Sequence, residues 1–196
     1  MLSREQFDSI EFDAAASGDH AVAAGQMFEL ATTGTETAGM PRAEAFLRAG
    51  EQWLLADDPA QAVLGFRRAM DDGGPVFSDP RVPLARALFQ LGQADEAQQL
   101  IAAIKTEGPA DPRTCDLVAE LLVERSDLAA ALEWATAGVE LCLAGSGTAL
   151  PGQPAADRHR RAGDETELRL LLRLRYRIRV DLGLPEDDYD ALLDES

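Results

Sequence analysis

Leu84-Ala85-Arg86-Ala87-Leu88-Phe89-Gln90-Leu91-Gly92-Gln93-Ala94-Asp95-Glu96-Ala97-Gln98-Gln99-Leu100-Ile101-Ala102-Ala103-Ile104 is the stretch whose reading decides the fold. Leu84, Leu88, Phe89 and Leu91 return at spacings of three and four and make one helical stripe; Ala97, Leu100, Ile101 and Ile104 make another. Gly92-Gln93-Ala94-Asp95 between them has turn chemistry, so two short antiparallel helices are predicted. The same rhythm runs from Ala43 to Leu143, punctuated by Gly73-Gly74-Pro75, Asp79-Pro80 and Gly108-Pro109-Ala110-Asp111-Pro112. A rhythm of that kind raises the question of an internal repeat before any single globular core is considered.

Superposition answers it. Ala62-Val63-Leu64-Gly65-Phe66, Ala97-Gln98-Gln99-Leu100-Ile101 and Ala131-Leu132-Glu133-Trp134-Ala135 fall in one phase, offset by 35 and then 34 residues. In the first copy Phe46 and Ala49-Gly50 precede Trp53, and Ala62 is followed by Phe66 and Ala69. Leu84-Ala85, Leu88, Gly92, Ala97, Ile101 and Pro109 take the corresponding places in the second copy. Val118-Ala119, Leu122, Ala131, Ala135 and Gly138 take them in the third. This period and residue pattern resemble the tetratricopeptide repeat family. The resemblance departs locally: Arg81 and Cys115 stand where an aromatic is common, Ile104 replaces a small residue, and Pro83 shortens the second copy's first helix. It implies an all-α fold, a right-handed α-solenoid of helix–turn–helix repeats.

Four segments follow along the chain. Residues 1–42 read as a degenerate N-terminal repeat, with Phe7, Ile10, Ala14, Gly18-Asp19, Ala23, Met27 and Leu30 in phase, followed by a polar connector. Terminal repeats are atypical because one face has no neighbour. Residues 43–144 are the three clear repeats, and residues 145–163, rich in Gly, Pro and Ala without periodicity, read as a flexible insertion. Residues 164–196 read as a C-terminal capping helix, with Leu171, Leu174, Ile178 and Leu182 as its apolar stripe and Gly183 as its stop, then a short acidic helix near Asp188 to Leu193. Leu172 to Val180 also alternates in the manner of a strand, but no second strand candidate exists to pair with it.

Composition narrows the function classes. The chain has 196 residues, 35 acidic against 18 basic, and a formal charge of −17, a field that repels nucleic acid. No run approaches eighteen consecutive apolar residues, so a membrane span is not expected. Met1-Leu2-Ser3-Arg4-Glu5 places an acid where a signal peptide carries bases, and a cytoplasmic location is the expectation. Cys115 and Cys142 are the two cysteines, too few for a disulfide framework. His20 and His159 lack a ligand partner four residues on, so no metal, cofactor or catalytic residue is expected, and no phosphate loop or nucleophile elbow occurs. Asp57-Asp58, Asp71-Asp72 and Asp187-Asp188 lie at turns and helix starts, where capping explains them.

What remains is surface. In the family the first helix of each repeat lines a concave groove, which implies a peptide-binding face at Arg48, Glu51 and Leu55, at Arg86, Phe89 and Gln90, and at Glu120, Val123 and Glu124. Family members that clamp a terminal carboxylate use Lys, Arg and Asn there; Leu47 and Glu51 occupy the matching slots, so no such clamp is expected. A groove with Glu44, Glu51, Asp116, Glu120 and Glu124 favours a basic or amphipathic protein or peptide partner. On the terminal helix Arg169, Arg173 and Arg177 share one face while Arg175 and Arg179 share another. Pairing with Glu186, Asp187, Asp188 and Asp190 is the structural account of these arginines; an anion or acidic-partner face at Arg169, Arg173 and Arg177 is the functional one. The expected role is therefore a non-catalytic interaction module. The alternatives are a homo-oligomeric building block joined through its terminal helices and an arginine-helix accessory factor for anions or nucleic acid.

The repeat reading predicts that Gly50→Leu lowers unfolding stability by roughly 1–3 kcal/mol through overpacking. Trp53→Ala should lower it by roughly 3–5 kcal/mol. Urea unfolding of the two variants measures both, and an unchanged midpoint for Gly50→Leu contradicts the assignment.

Overall fold

The computed structural model of the protein describes residues 3–34, 39–109, 111–145 and 155–193, with side chains from 165 onward in the last segment. Ten helices are described: α1 (Arg4–Ser17), α2 (His20–Thr33), α3 (Arg42–Leu55), α4 (Pro59–Asp72), α5 (Arg81–Gln90), α6 (Ala94–Glu107), α7 (Pro112–Glu124), α8 (Leu128–Gly145), α9 (Ala155–Asp181) and α10 (Asp188–Ala191). The described residues contain no strand, so the fold is all-α, of the helix–turn–helix solenoid class expected, and the strand-like alternation at 172–180 is helix. The chain forms two compact units, Met1–Thr106 and Glu107–Ser196.

Local chemistry starts and stops these helices where the sequence places it. The side chains of Ser3, Asp58 and Asp111 accept from Gln6 N at 3.3 Å, Gln61 N at 3.1 Å and Thr114 N at 2.7 Å, and Pro59 and Pro112 open their helices. The turns repeat as faithfully as the helices. Asp57, Gly92 and Ser126 have φ of 57°, 75° and 60°, and each is followed by an amide that reaches back: Asp58 N to Trp53 O, Gln93 N to Leu88 O and Asp127 N to Leu122 O, all at 2.9 Å. Those three left-handed residues stand 35 and 34 apart, the period read from the sequence. Only the middle copy has the glycine that adopts this conformation without strain.

In the first unit the core lies along helix crossings. A Cβ on Gly50 would fall 2.6 Å from Cδ1 of Phe66, and one on Gly65 would fall 2.9 Å from the Gly50 Cα, so α3 and α4 touch where neither has a side chain. Phe28 of α2 packs on Phe46 and Trp53 of α3 with ring centroids 5.1 and 5.2 Å apart. Residues Phe7, Ala14, Ala23 and Met27 are buried, so the degenerate N-terminal segment folds as the helical pair α1–α2. Ile10 and Leu30 are only half-buried. With Pro83 in its first turn, α5 has 10 residues against 14 in α3.

The second unit packs α9 against α7 and α8. Leu171 closes on Gly138, where an added Cβ would meet Leu171 Cδ2 at 2.8 Å and Cys115 Cβ at 2.9 Å. Cys115 and Cys142 are both buried thiols not joined in a disulfide, and burial pushes the Cys115 thiol up to about 12. Two expectations are corrected here. The terminal helix begins at Ala155 rather than 164, because Ala155-Ala156-Asp157-Arg158-His159-Arg160-Arg161 has helix propensity without apolar periodicity; residues 146–154 of the expected insertion lie outside the described residues. Leu172 rather than Leu182 completes the buried stripe, since α9 ends at Asp181 and Leu182 turns outward. By length and composition α8 alone among the described helices is long and apolar enough to cross a membrane, contrary to the run-length reading of the sequence. It buries Ala131, Trp134, Ala135, Val139 and Cys142 as the central helix of this unit.

The tail after α9 is tied down by charge. Arg175, with a side chain 4% exposed, donates to Asp187 at 2.5 and 2.9 Å, to Asp190 at 3.1 Å and to Thr136 of α8 at 3.0 Å, and lies 4.8 Å from the Tyr189 ring centre. Arg179 pairs with the same two carboxylates and donates to the Pro185 carbonyl. Asp187 and Asp190 in turn cap α10 reciprocally. Removing Arg175 leaves the buried Asp190 with Arg179 as its one remaining guanidinium partner, so Arg175→Ala is expected to cost about 1.5–3 kcal/mol in urea unfolding followed by circular dichroism. A loss under about 1 kcal/mol would place this cluster among solvent-screened pairs instead.

Candidate functional site

The groove residues expected from the repeat are distributed over both units. In the first, Arg48, Glu51 and Leu55 stand three and four residues apart on α3, which puts them on one helix face, and Arg86, Phe89 and Gln90 do the same on α5. Glu51, Leu55 and Gln90 are exposed, Leu55 to 63%; Arg86 and Phe89 are half-buried. Arg48 is different. Its guanidinium donates to Glu11 at 2.7 Å through Nε and to Asp8 at 2.7 Å, makes a second contact to Glu11, and sits 5.8 Å from the Phe7 ring centre. Its side chain is 11% exposed, so Arg48 joins α3 to α1 rather than presenting charge to a ligand. Burial opposes its charge and the two carboxylates hold it on, raising its pKa further above the ordinary arginine range.

Glu44, which the sequence places with the groove acids, accepts from the Phe77 amide at 2.8 Å and pins the loop between α4 and α5. His20 bridges α2 and α3 through Nδ1 and Gln52 Oε1 at 2.8 Å, a structural contact. Among the described residues no group of three or more His, Cys, Asp and Glu is arranged to hold a metal ion.

In the second unit Glu120 and Glu124 are exposed on α7 and Val123 is half-buried between them. One turn earlier, burial pushes the Asp116 carboxyl up to about 6, with the charges of Glu120 and Glu167 adding to it and Arg113 opposing. Glu167 on α9 is raised too, chiefly by burial, and its Oε1 is buried without a hydrogen-bond partner among the described residues. Carboxylates therefore crowd the α7–α9 seam.

The α9 arginines divide as their spacing implies. Arg175 and Arg179 face the fold and pair with Asp187 and Asp190, the structural account; Arg169, Arg173 and Arg177 are exposed. The pairing with Arg175 holds the Asp187 carboxyl below the usual range. Sequence reading missed one feature. An open cleft of about 560 Å³ runs between α1 and α2, lined among others by Ser9, Ile10, Gln26, Glu29 and Leu30. In the sequence Ile10 and Leu30 read as core residues in phase with the repeat; that they are only half-buried, and so line a cleft, is visible in the structure alone.

Comparison with known families places residues 53–121, from the end of α3 to mid α7, in a match to the family described as tetratricopeptide repeat. No curated protein matches the chain.

Asp116 gives the site a pH signature. The folded chain holds this proton more tightly than the unfolded chain, so stability falls as pH rises from the ordinary carboxylate range through about 6. Asp116→Asn is expected to be more stable than wild type at pH 7 and to flatten this part of the profile. Thermal midpoints between pH 4 and pH 7 measure it, and parallel profiles for the two proteins contradict the burial of Asp116.

Proposed function

We propose that the chain, matched over residues 53–121 by the family described as tetratricopeptide repeat, is a non-catalytic cytoplasmic adaptor that holds a basic or amphipathic segment of another protein against the first helices of its repeats. The observation that supports this reading most is that each unit taken by itself presents the same mixture on the first helices of its repeats. In the first unit Glu51 supplies negative charge and Leu55 and Phe89 apolar surface; in the second Glu120 and Glu124 are exposed on either side of Val123. Such a mixture suits a partner helix or strand with bases flanking apolar anchors: the anchors give affinity, and the acids give association rate and discrimination. Arg48 contributes indirectly, as the tie that orients α1 beside α3. Leu47 is 1% exposed and Glu51 is acidic, so a terminal carboxylate finds no cation at these two positions. The net charge of −17 acts in the same direction by repelling acidic competitors.

Affinity capture from the native host, wild type beside a Glu51→Arg/Phe89→Ala variant shown to be folded by circular dichroism, tests the proposal. Proteins retained by wild type and lost by the variant are expected, and their binding segments are expected to be rich in Lys or Arg. Partners indifferent to the two substitutions would move the binding surface off α3 and α5.

A further inference from the structure

Two surfaces at opposite ends of the sequence remain without an occupant, and their chemistries match. The first is the α1–α2 cleft. Among the described residues it is lined by these two helices, has Ile10 and Leu30 half-buried in its floor, and has an exposed acid, Glu29, on its wall. Val22, 60% exposed, extends the α2 side, being one turn before Gln26 and two before Glu29. Glu5 and Asp13, four residues to either side of Ser9, add exposed acids along the α1 side.

The second is the outer face of α9. Arg173, Tyr176, Arg177 and Val180 stand at helical positions i, i+3, i+4 and i+7, with Arg169 one turn before them, so all five share a face. All five are exposed, Tyr176 to 40% and Val180 to 57%. The three arginines make no hydrogen bond or ion pair among the described residues, whereas Arg175 and Arg179 on the inner face are fully engaged. A basic helix face interspersed with apolar side chains is what an acid-rimmed apolar cleft between two helices accepts. The second unit displays the same mode of packing internally: the inner face of α9 lies against α7 and α8 with Leu171, Leu172 and Ile178 buried.

We infer that the outer face of α9 docks in the α1–α2 cleft of a second copy of this chain, so that copies associate head to tail. The inference does not rest on the proposed groove function, because none of its residues is among the groove residues. Tyr176 and Val180 meet the apolar floor at Ile10 and Leu30, and Arg169, Arg173 and Arg177 meet Glu5, Asp13 and Glu29. The net charge of −17 on each copy opposes this association at a distance, but at physiological ionic strength charges are screened beyond about 8 Å and the local pairing governs contact. The interface joins two different surfaces, so each copy offers one of each.

That asymmetry provides the test, made by sedimentation equilibrium on the full 21.1 kDa chain. Wild type is expected to show a mass that rises with concentration. Arg173→Glu/Arg177→Glu, which spoils the α9 face, and Gln26→Arg/Glu29→Arg, which spoils the cleft, are each expected to remain monomeric. Mixed in equal amounts they are expected to associate, because one variant keeps the cleft and the other keeps the face, and the two reversed surfaces are again opposite in charge. All four positions are exposed, and circular dichroism confirms folding; should a double variant unfold, Arg177→Glu and Glu29→Arg replace it singly. A monomeric wild type at every concentration overturns the inference, as does association that neither variant weakens, or a mixture that stays monomeric. Binding of a polyglutamate peptide that Arg173→Glu/Arg177→Glu abolishes, without self-association of wild type, overturns it in favour of an acidic partner for α9.

Discussion

Two helices can cross at backbone contact only where a side chain is missing, and the packing of this protein depends on meeting that condition. Gly50 and Gly65 face each other across α3 and α4, and the Phe66 ring occupies the space a Cβ on Gly50 would need. Gly138 on α8 makes room for side chains instead, with Leu171 of α9 and Cys115 of α7 closing over it. Glycine inside a helix ordinarily destabilises it by about 0.5–1 kcal/mol relative to alanine. The close approach offsets this by bringing flat or branched side chains into dense contact on either side, where each buried methylene contributes about 0.8 kcal/mol. The left-handed turn residues at 57, 92 and 126 belong to the same constraint, because they set where each second helix begins relative to its first.

The arginines follow a second logic. In a chain with 35 acidic residues, a buried or half-buried guanidinium finds a carboxylate within reach, and three of them act as internal ties. Arg48 holds α1 to α3, while Arg175 and Arg179 hold the tail and α10 against α9. A guanidinium suits this role because its planar fork donates to two carboxylates at once. With Arg48 engaged, the outward face of α3 keeps the exposed Glu51, whereas the outer side of α9 keeps three exposed arginines, Arg169, Arg173 and Arg177.

Much of this was legible before any coordinate. The 34–35 residue phase of Ala62, Ala97 and Ala131 is a property of covalent order, and helix phase translates directly into which residues are buried; Phe66, Ile101 and Ala135 are inside as the pattern requires. The division of the α9 arginines into two faces was equally readable, because it needs only the pitch of a helix. The start of α9 was not, since a polar helix without an apolar stripe leaves no periodicity to read. Leu172 and Leu182 exchanged roles for a related reason: periodicity marks a stripe but not which edge of it a neighbour covers.

The sequence by itself therefore determined the helices, their turns, the repeat and the charge balance, all of which depend on neighbours within one or two turns or on composition. Tertiary structure alone decided that Arg48 is engaged by Asp8 and Glu11, that Asp116 sits in a crowded carboxylate seam with Glu167, and that the α1–α2 cleft stays open. Those pairings join residues about 40 or more positions apart, or depend on which helix faces go uncovered. Local periodicity carries no information about distance between helices, and only packing sets it.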